Sequence, residues 1–180
     1  MGEVQKHGKI WEKEILLIYG DFGDVPYTNK HDGPADQNEL NGSNLSVKAT
    51  KTINRVDMSD ARRLFQSVSS GESLHMVVVF WKQTSVNVKA VVGVVEVDLT
   101  NSAELLFGDI GIKDIEDLMD VVKSVPAKRR PTYEDHKRMY AVRERIQRKN
   151  SYILLTIKCD KTQSRIQCSF RNFQQFLNEH

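Results

Sequence analysis

Apolar positions along this chain change period several times, and each change marks an element. Between Gly8 and Tyr19 the residues Ile10, Trp11, Ile15, Leu16 and Ile18 recur at helical spacing, with Glu12 and Glu14 on neighbouring faces. Residues 20–33 are rich in Gly, Asp, Pro and Asn and predict a loop, in which Asp21, Asp24 and Asp32 serve as turn formers. Asn41-Gly42 tolerates the positive φ angles of a tight turn, and Leu45–Thr50 follows it with strand alternation, so a hairpin is predicted there. A helix is predicted from about Ser59, read as its N-cap, to Ser69, with Ala61, Leu64, Phe65 and Val68 forming its apolar stripe.

Two Val-dense segments come next, His75–Trp81 and Lys89–Leu99. Their near-continuous apolar character predicts strands buried on both faces, the centre of a sheet. Gly108 and Gly111 mark a turn into a helix over Ile112–Lys123, with Ile112, Ile115, Leu118, Met119 and Val122 on one side. Thr132 caps a further helix reaching about Arg148. Strands are predicted at Tyr152–Lys158 and Arg165–Phe170, and a short helix carrying Phe173, Phe176 and Leu177 closes the chain. This order predicts an α/β fold, a central mixed β-sheet flanked by helices. No repeat or linker divides it, so one domain over residues 1–180 is expected.

Composition narrows the class. With 180 residues, 39% of them apolar and 28% charged, the chain can build one substantial core. No apolar run approaches the roughly 20 residues that cross a bilayer, so no membrane association is expected. The amino end, MGEVQKHGKIWEKEI, lacks the apolar centre of a secretory signal, and an intracellular protein is the expectation. Cys159 and Cys168 are within reach of each other across a hairpin, but with no His nearby they read as small buried residues rather than zinc ligands.

The net charge of +2 hides an uneven distribution. Residues 126–149 carry nine Lys and Arg against three Asp and Glu, a local basic face centred on Lys128, Arg129 and Arg130. One reading is a solvated helix; the sharper one is a footprint for a polyanion such as a nucleic-acid backbone. Arg62 and Arg63 are further candidates for phosphate contact, with solvated charge as the default reading, and Trp81-Lys82-Gln83, which closes the first Val-dense strand, reads equally as a segment near a substrate or as a strand end.

Among familiar chemistries most are absent. The chain has no GxxxxGK[ST] loop, no GxGxxG after a strand, no GxSxG elbow and no HExxH, and its five histidines show no ligand spacing. What remains is the stretch His31–Thr50, where an acid, a turn and a lysine on a β-prone run follow in close order. Such an arrangement can hold a divalent metal against a phosphate, and Lys48 is its anchor. Register makes a demand on it. A two-residue turn sets Asp36 opposite Val47, whereas one extra residue brings Asp36 opposite Ser46 or Lys48.

Here the chain resembles the PD-(D/E)XK nuclease superfamily, and within it the small type II restriction endonuclease-like proteins of bacteria, phages and large DNA viruses. The residues that carry the resemblance are Gly8-Lys-Ile-Trp-Glu-Lys-Glu14, Pro34-Ala-Asp36, Asn44-Leu-Ser-Val-Lys-Ala-Thr50, Val56-Asp-Met-Ser-Asp-Ala-Arg-Arg-Leu-Phe65 and Gln163-Ser-Arg-Ile-Gln-Cys168. It implies a restriction endonuclease-like fold and hydrolysis of double-stranded DNA with Mg²⁺, or Mn²⁺ in its place. In that comparison Asp36 matches the first motif acid and Lys48 the motif lysine. Glu12 matches the supporting glutamate of the first helix, and Asp36 and Glu12 are the implied metal ligands. Ser46 stands where the family has Asp or Glu, so the resemblance leaves open another acid such as Glu12 or Glu39 in its place, or a silent nucleic-acid binder. It also implies a homodimer, with Lys82, Gln163, Arg165 and Gln167 as candidate base readers. A third expectation, from the basic helix alone, is an interaction module for an acidic protein.

Overall fold

The computed structural model describes residue 14 and residues 44–86, 88–149 and 151–180. Within 44–180 the order is β1 (Asn44–Thr50), β2 (Arg55–Asp60), α1 (Ala61–Ser69), β3 (Leu74–Gln83), β4 (Lys89–Asp98), α2 (Ala103–Phe107), α3 (Ile112–Lys123), α4 (Tyr133–Gln147), β5 (Ile153–Cys159), β6 (Ser164–Arg171) and α5 (Phe173–Glu179). Most predicted segments appear within a residue or two of their expected limits. The mixed α/β class is also as expected. Glu14 is helical and exposed, in keeping with the predicted Gly8–Tyr19 helix; the rest of that helix, the 20–33 loop and the Asn41-Gly42 turn lie outside the described residues.

The strands form two three-stranded sheets among the described residues, where one central sheet was expected. In the first, ordered β1-β3-β4, β1 runs parallel to β3 and β3 antiparallel to β4. The second, ordered β2-β6-β5, is antiparallel throughout. A parallel β1-β3 pair requires a crossover. Here β2 and α1 make up that connection, and β2 leaves to join the other sheet. The Thr50 hydroxyl stabilises the departure by donating to the Arg55 carbonyl at 3.1 Å and accepting from the Thr52 amide at 3.2 Å.

Strand β2 was not predicted, although Val56 and Met58 alternate with Arg55, Asp57 and Ser59 at the strand period. Its ladder carries a bulge between Asp57 and Ser59, where Ser59 adopts φ 69°. The bulge also corrects the helix start. Asp60, not Ser59, is the N-cap of α1, its Oδ1 accepting from the Arg63 amide at 2.9 Å. Ser59 is instead held by its amide donating to Asp57 Oδ1 at 3.0 Å. The unpredicted α2 ends at Gly108, whose φ of 54° suits a residue without Cβ.

One large core joins the two sheets. It draws Met76, Val78 and Phe80 from β3, Ile166, Cys168 and Phe170 from β6, and side chains from all five helices, including Phe107, Leu118 and Phe173. A second cluster of Leu45, Val47, Val77 and Val79 lies on the opposite face of the first sheet. Strand β3 is therefore buried on both faces, as its Val-dense sequence predicted. Strand β4 is not. It is an outer strand, and Val91, Val92 and Val94 are 44%, 56% and 49% exposed. A continuous apolar run constrains how much a strand can bury and not how many neighbours it has.

Helix α4 buries only Met139 and Ile146, so its sequence carries little apolar signal. It holds its place through polar groups. Gln147 Nε2 donates to the Ile153 carbonyl at 2.8 Å while its Oε1 accepts from the Leu155 amide at 2.8 Å, and Arg143 Nε donates to the Leu155 carbonyl at 2.9 Å. Strand β5 lies at the edge of its sheet, and these side chains satisfy the backbone groups a further strand would take. Register sets Cys159 opposite Ser164 and Cys168 opposite Leu155, so the two thiols do not face each other, and both are free.

Candidate functional site

Strand alternation decides where Lys48 points. Leu45 and Val47 turn to the smaller cluster, so Ser46 and Lys48 share the opposite face with their partners Met76 and Val78, which belong to the large core. That face looks toward the second sheet, and β1 approaches β2. Lys48 is half-buried, and its Nζ donates to the Val47 carbonyl at 3.3 Å.

Two acids on β2, the strand that β1 approaches, act on the same buried thiol as Lys48. Burial of Cys168 raises the pKa of its thiol, the charges of Asp57 and Asp60 push it the same way, and Lys48 opposes them. Three charges from β1 and β2 thus bear on one buried group of β6. Each carboxylate has one oxygen engaged by a backbone amide, Asp57 by Ser59 and Asp60 by Arg63. Their remaining oxygens accept no hydrogen bond from the described residues. Carboxylate oxygens of this kind are donors suited to a hard cation. No group of three or more His, Cys, Asp or Glu positioned to share a metal occurs among the described residues.

The other expected members of the centre, Asp36 and Glu12, lie outside the described residues, as does Glu39. The register shift demanded of Asp36 falls there too. Of the expected constellation, Lys48 and Ser46 are described, and they share one face of one strand.

The expected DNA-facing residues occupy three separate places. Lys82 and Gln83 end β3 and are exposed, with Gln83 Nε2 donating to the Val86 carbonyl at 3.1 Å inside the β3–β4 hairpin. Arg165 and Gln167 alternate with buried Ile166 and Cys168, and so lie on the outer face of the second sheet beside Lys158 and Thr156 of β5. Gln163 precedes β6, its Nε2 bound to Asp160 Oδ2 at 2.9 Å. Lys128 and Arg130 are exposed in the turn before α4, where Lys128 has φ 66°. Arg129 differs from these two because its guanidinium pairs with Asp135 at 2.7 Å.

The basic face is therefore less free than the sequence implied. Arg138 pairs with Asp135, Lys149 pairs with Asp114 at 2.6 Å, and Arg143 holds the β5 edge. Burial works upward on Asp114, but its hydrogen bonds from Lys149 and the Gly111 amide outweigh that and lower its pKa. Arg62, a candidate for phosphate, faces Glu116 of α3 at 3.3 Å.

A group that sequence reading missed lies at the end of the first sheet. Lys51 Nζ and Lys89 Nζ sit 4.8 Å and 4.2 Å from the centroid of the Trp81 ring. The three residues come from the ends of three strands that only the β1-β3-β4 order makes neighbours. Comparison with protein-family models, curated proteins and solved structures returns no match for this chain.

Proposed function

We propose that the protein is a metal-dependent endonuclease of double-stranded DNA, with a restriction endonuclease-like arrangement around Lys48. The observation that supports this reading best is the half-buried Lys48 on a strand face turned toward β2, whose Asp57 and Asp60 each keep a carboxylate oxygen that accepts no hydrogen bond from the described residues. In this reading Lys48 orients and helps deprotonate the attacking water, Ser46 positions it from the same strand face, and Asp36 with Glu12 holds Mg²⁺ or Mn²⁺. Oxygen donors of this kind fit a hard divalent cation. Because no group of three or more potential ligands occurs among the described residues, acids from outside them complete the ligand set in this reading. A bound cation there would neutralise charge on the scissile phosphate. A homodimer belongs to the same reading, since symmetric pairing brings one site to each strand of a duplex.

Ser46 favours a second reading, a nuclease-like protein that binds nucleic acid without cutting it, because a neutral hydroxyl is a poorer Mg²⁺ ligand than a carboxylate. Incubation of the purified chain with varied unmethylated duplexes and Mg²⁺ or Mn²⁺ separates the two. The expected result is cleavage that EDTA abolishes and that Lys48→Ala reduces by at least about 100-fold, the lower range for loss of an acid–base group. Salt-sensitive binding with every duplex left intact selects the second reading.

A further inference from the structure

At the tip of the β3–β4 hairpin Val86 and Val88 are 86% and 54% exposed. Its base carries an unusual concentration of positive charge. On one face Lys51, just past β1, Trp81 of β3 and Lys89 at the start of β4 form a row across the sheet. Lys82 projects from the opposite face, since it alternates with Trp81. Among the described residues none of these three lysines takes part in an ion pair. The nearest acids of β4, Glu96 and Asp98, are at its far end and face His75. At about 3.3 Å per residue, the seven steps from Lys89 to Glu96 put that end roughly 20 Å away.

Two ammonium groups over one indole repel each other, and the ring's quadrupole offsets only part of that repulsion. An anion bound above the row, within reach of both ammonium groups, offsets that repulsion. The indole also restricts both lysine stems, so less side-chain freedom is lost when an anion binds. With lysines occupying the indole face, the ring is a support for cations and not a stacking surface for a base. We propose that Lys51, Trp81 and Lys89 form a phosphate-binding platform that seats the sugar-phosphate backbone of duplex DNA at the β3–β4 hairpin, with Lys82 adding charge from the other side. The platform lies on the sheet face opposite Lys48, so it grips the backbone and takes no part in the reaction. The proposal rests on the reading of the partner as nucleic acid and does not require cleavage.

The test uses the full chain carrying Trp11→Phe, which leaves Trp81 as its one tryptophan. Duplex DNA is added while Trp81 emission and affinity are followed over a range of salt, for this protein, for the added pair Lys51→Gln and Lys89→Gln, and for Lys128→Gln with Arg130→Gln as the comparison pair. Far-UV circular dichroism and Tm establish that each variant is folded. Binding is expected to change Trp81 emission. Loss of Lys51 and Lys89 is expected to lower affinity by roughly 10-fold or more at about 0.1 M salt and to flatten the salt slope by about two, one unit per lost phosphate contact. The platform is overturned if the folded double variant keeps the parent affinity and slope, or if Trp81 emission is unmoved while DNA binds. It is equally overturned if no duplex binds at low salt, or if mixed phosphatidylcholine–phosphatidylserine vesicles bind and duplex does not. Binding with the expected slope change but without cleavage supports the platform and refutes only the nuclease reading.

Discussion

Asp135 illustrates how a single side chain reassigns its neighbours. Its Oδ2 accepts from the Thr132 amide and hydroxyl, both at 2.8 Å, and from Arg129 at 2.7 Å. The Thr132 amide, then the Thr132 hydroxyl and Arg129, hold its pKa down at about 2. A carboxylate depressed on folding stabilises the native state above its unfolded pKa of about 3.9, and that contribution is lost as pH falls from about 4 through about 2. Asp135→Asn is therefore expected to lower Tm at neutral pH, with the gap from the parent protein closing over that acid window in thermal melts followed by circular dichroism. A gap that stays constant between pH 7 and pH 2 would sink the assignment. The same contacts explain why Arg129, read from the sequence as one of three equivalent basic residues, is a cap component while Lys128 and Arg130 remain exposed.

At the scale of elements, α4 and β4 manage their sheet edges in opposite ways. The Gln147 amide occupies the place of a further strand on β5, bonding Ile153 and Leu155. Gln147→Ala leaves a backbone donor and acceptor without partners and is expected to cost about 1–3 kcal/mol. That corresponds to a fall in Tm of roughly 2–4 °C for each kcal/mol in a chain of this size. Gln147→Glu provides a contrast, since it keeps the acceptor for the Leu155 amide and loses the donor to Ile153. Among the described residues strand β4 has no comparable cover over its exposed valines. Substituting Val94→Lys should leave stability within about 0.5 kcal/mol, as for other exposed sites, while raising the protein concentration at which light scattering appears. Destabilisation well beyond that limit would show that Val94 is part of the packed structure.

Across the whole molecule, the shared core couples two sheets that have no strand in common. Phe170 stands at the centre of this coupling, with Phe173 at 5.0 Å and Phe176 at 4.8 Å between ring centroids, and Phe173 reaches Phe80 of the other sheet at 6.2 Å. Unfolding by urea should therefore be one transition, the same by near-UV and far-UV circular dichroism. Phe170→Ala should shift it by about 3–5 kcal/mol without splitting it. Two separated transitions would mean that the sheets fold independently.

The sequence by itself determined most element positions, because local patterning is a property of neighbouring residues: the stripe of α1, the cap at Thr132 and the alternation that sets Ser46 and Lys48 on one face need no knowledge of distant chain. It also singled out Lys48 and the turn at Lys128–Arg130. Only the tertiary structure decided that the described strands divide into two sheets, that β4 lies at an edge among them, that β2 comes beside β1, and that Lys51 and Lys89 converge on Trp81. Those outcomes depend on which strand ends become neighbours, and residues 30 or 38 positions apart carry no mutual signal in a single sequence. The physical reason is that pairing is chosen by the burial of the whole core, whereas periodicity records only the burial of each segment.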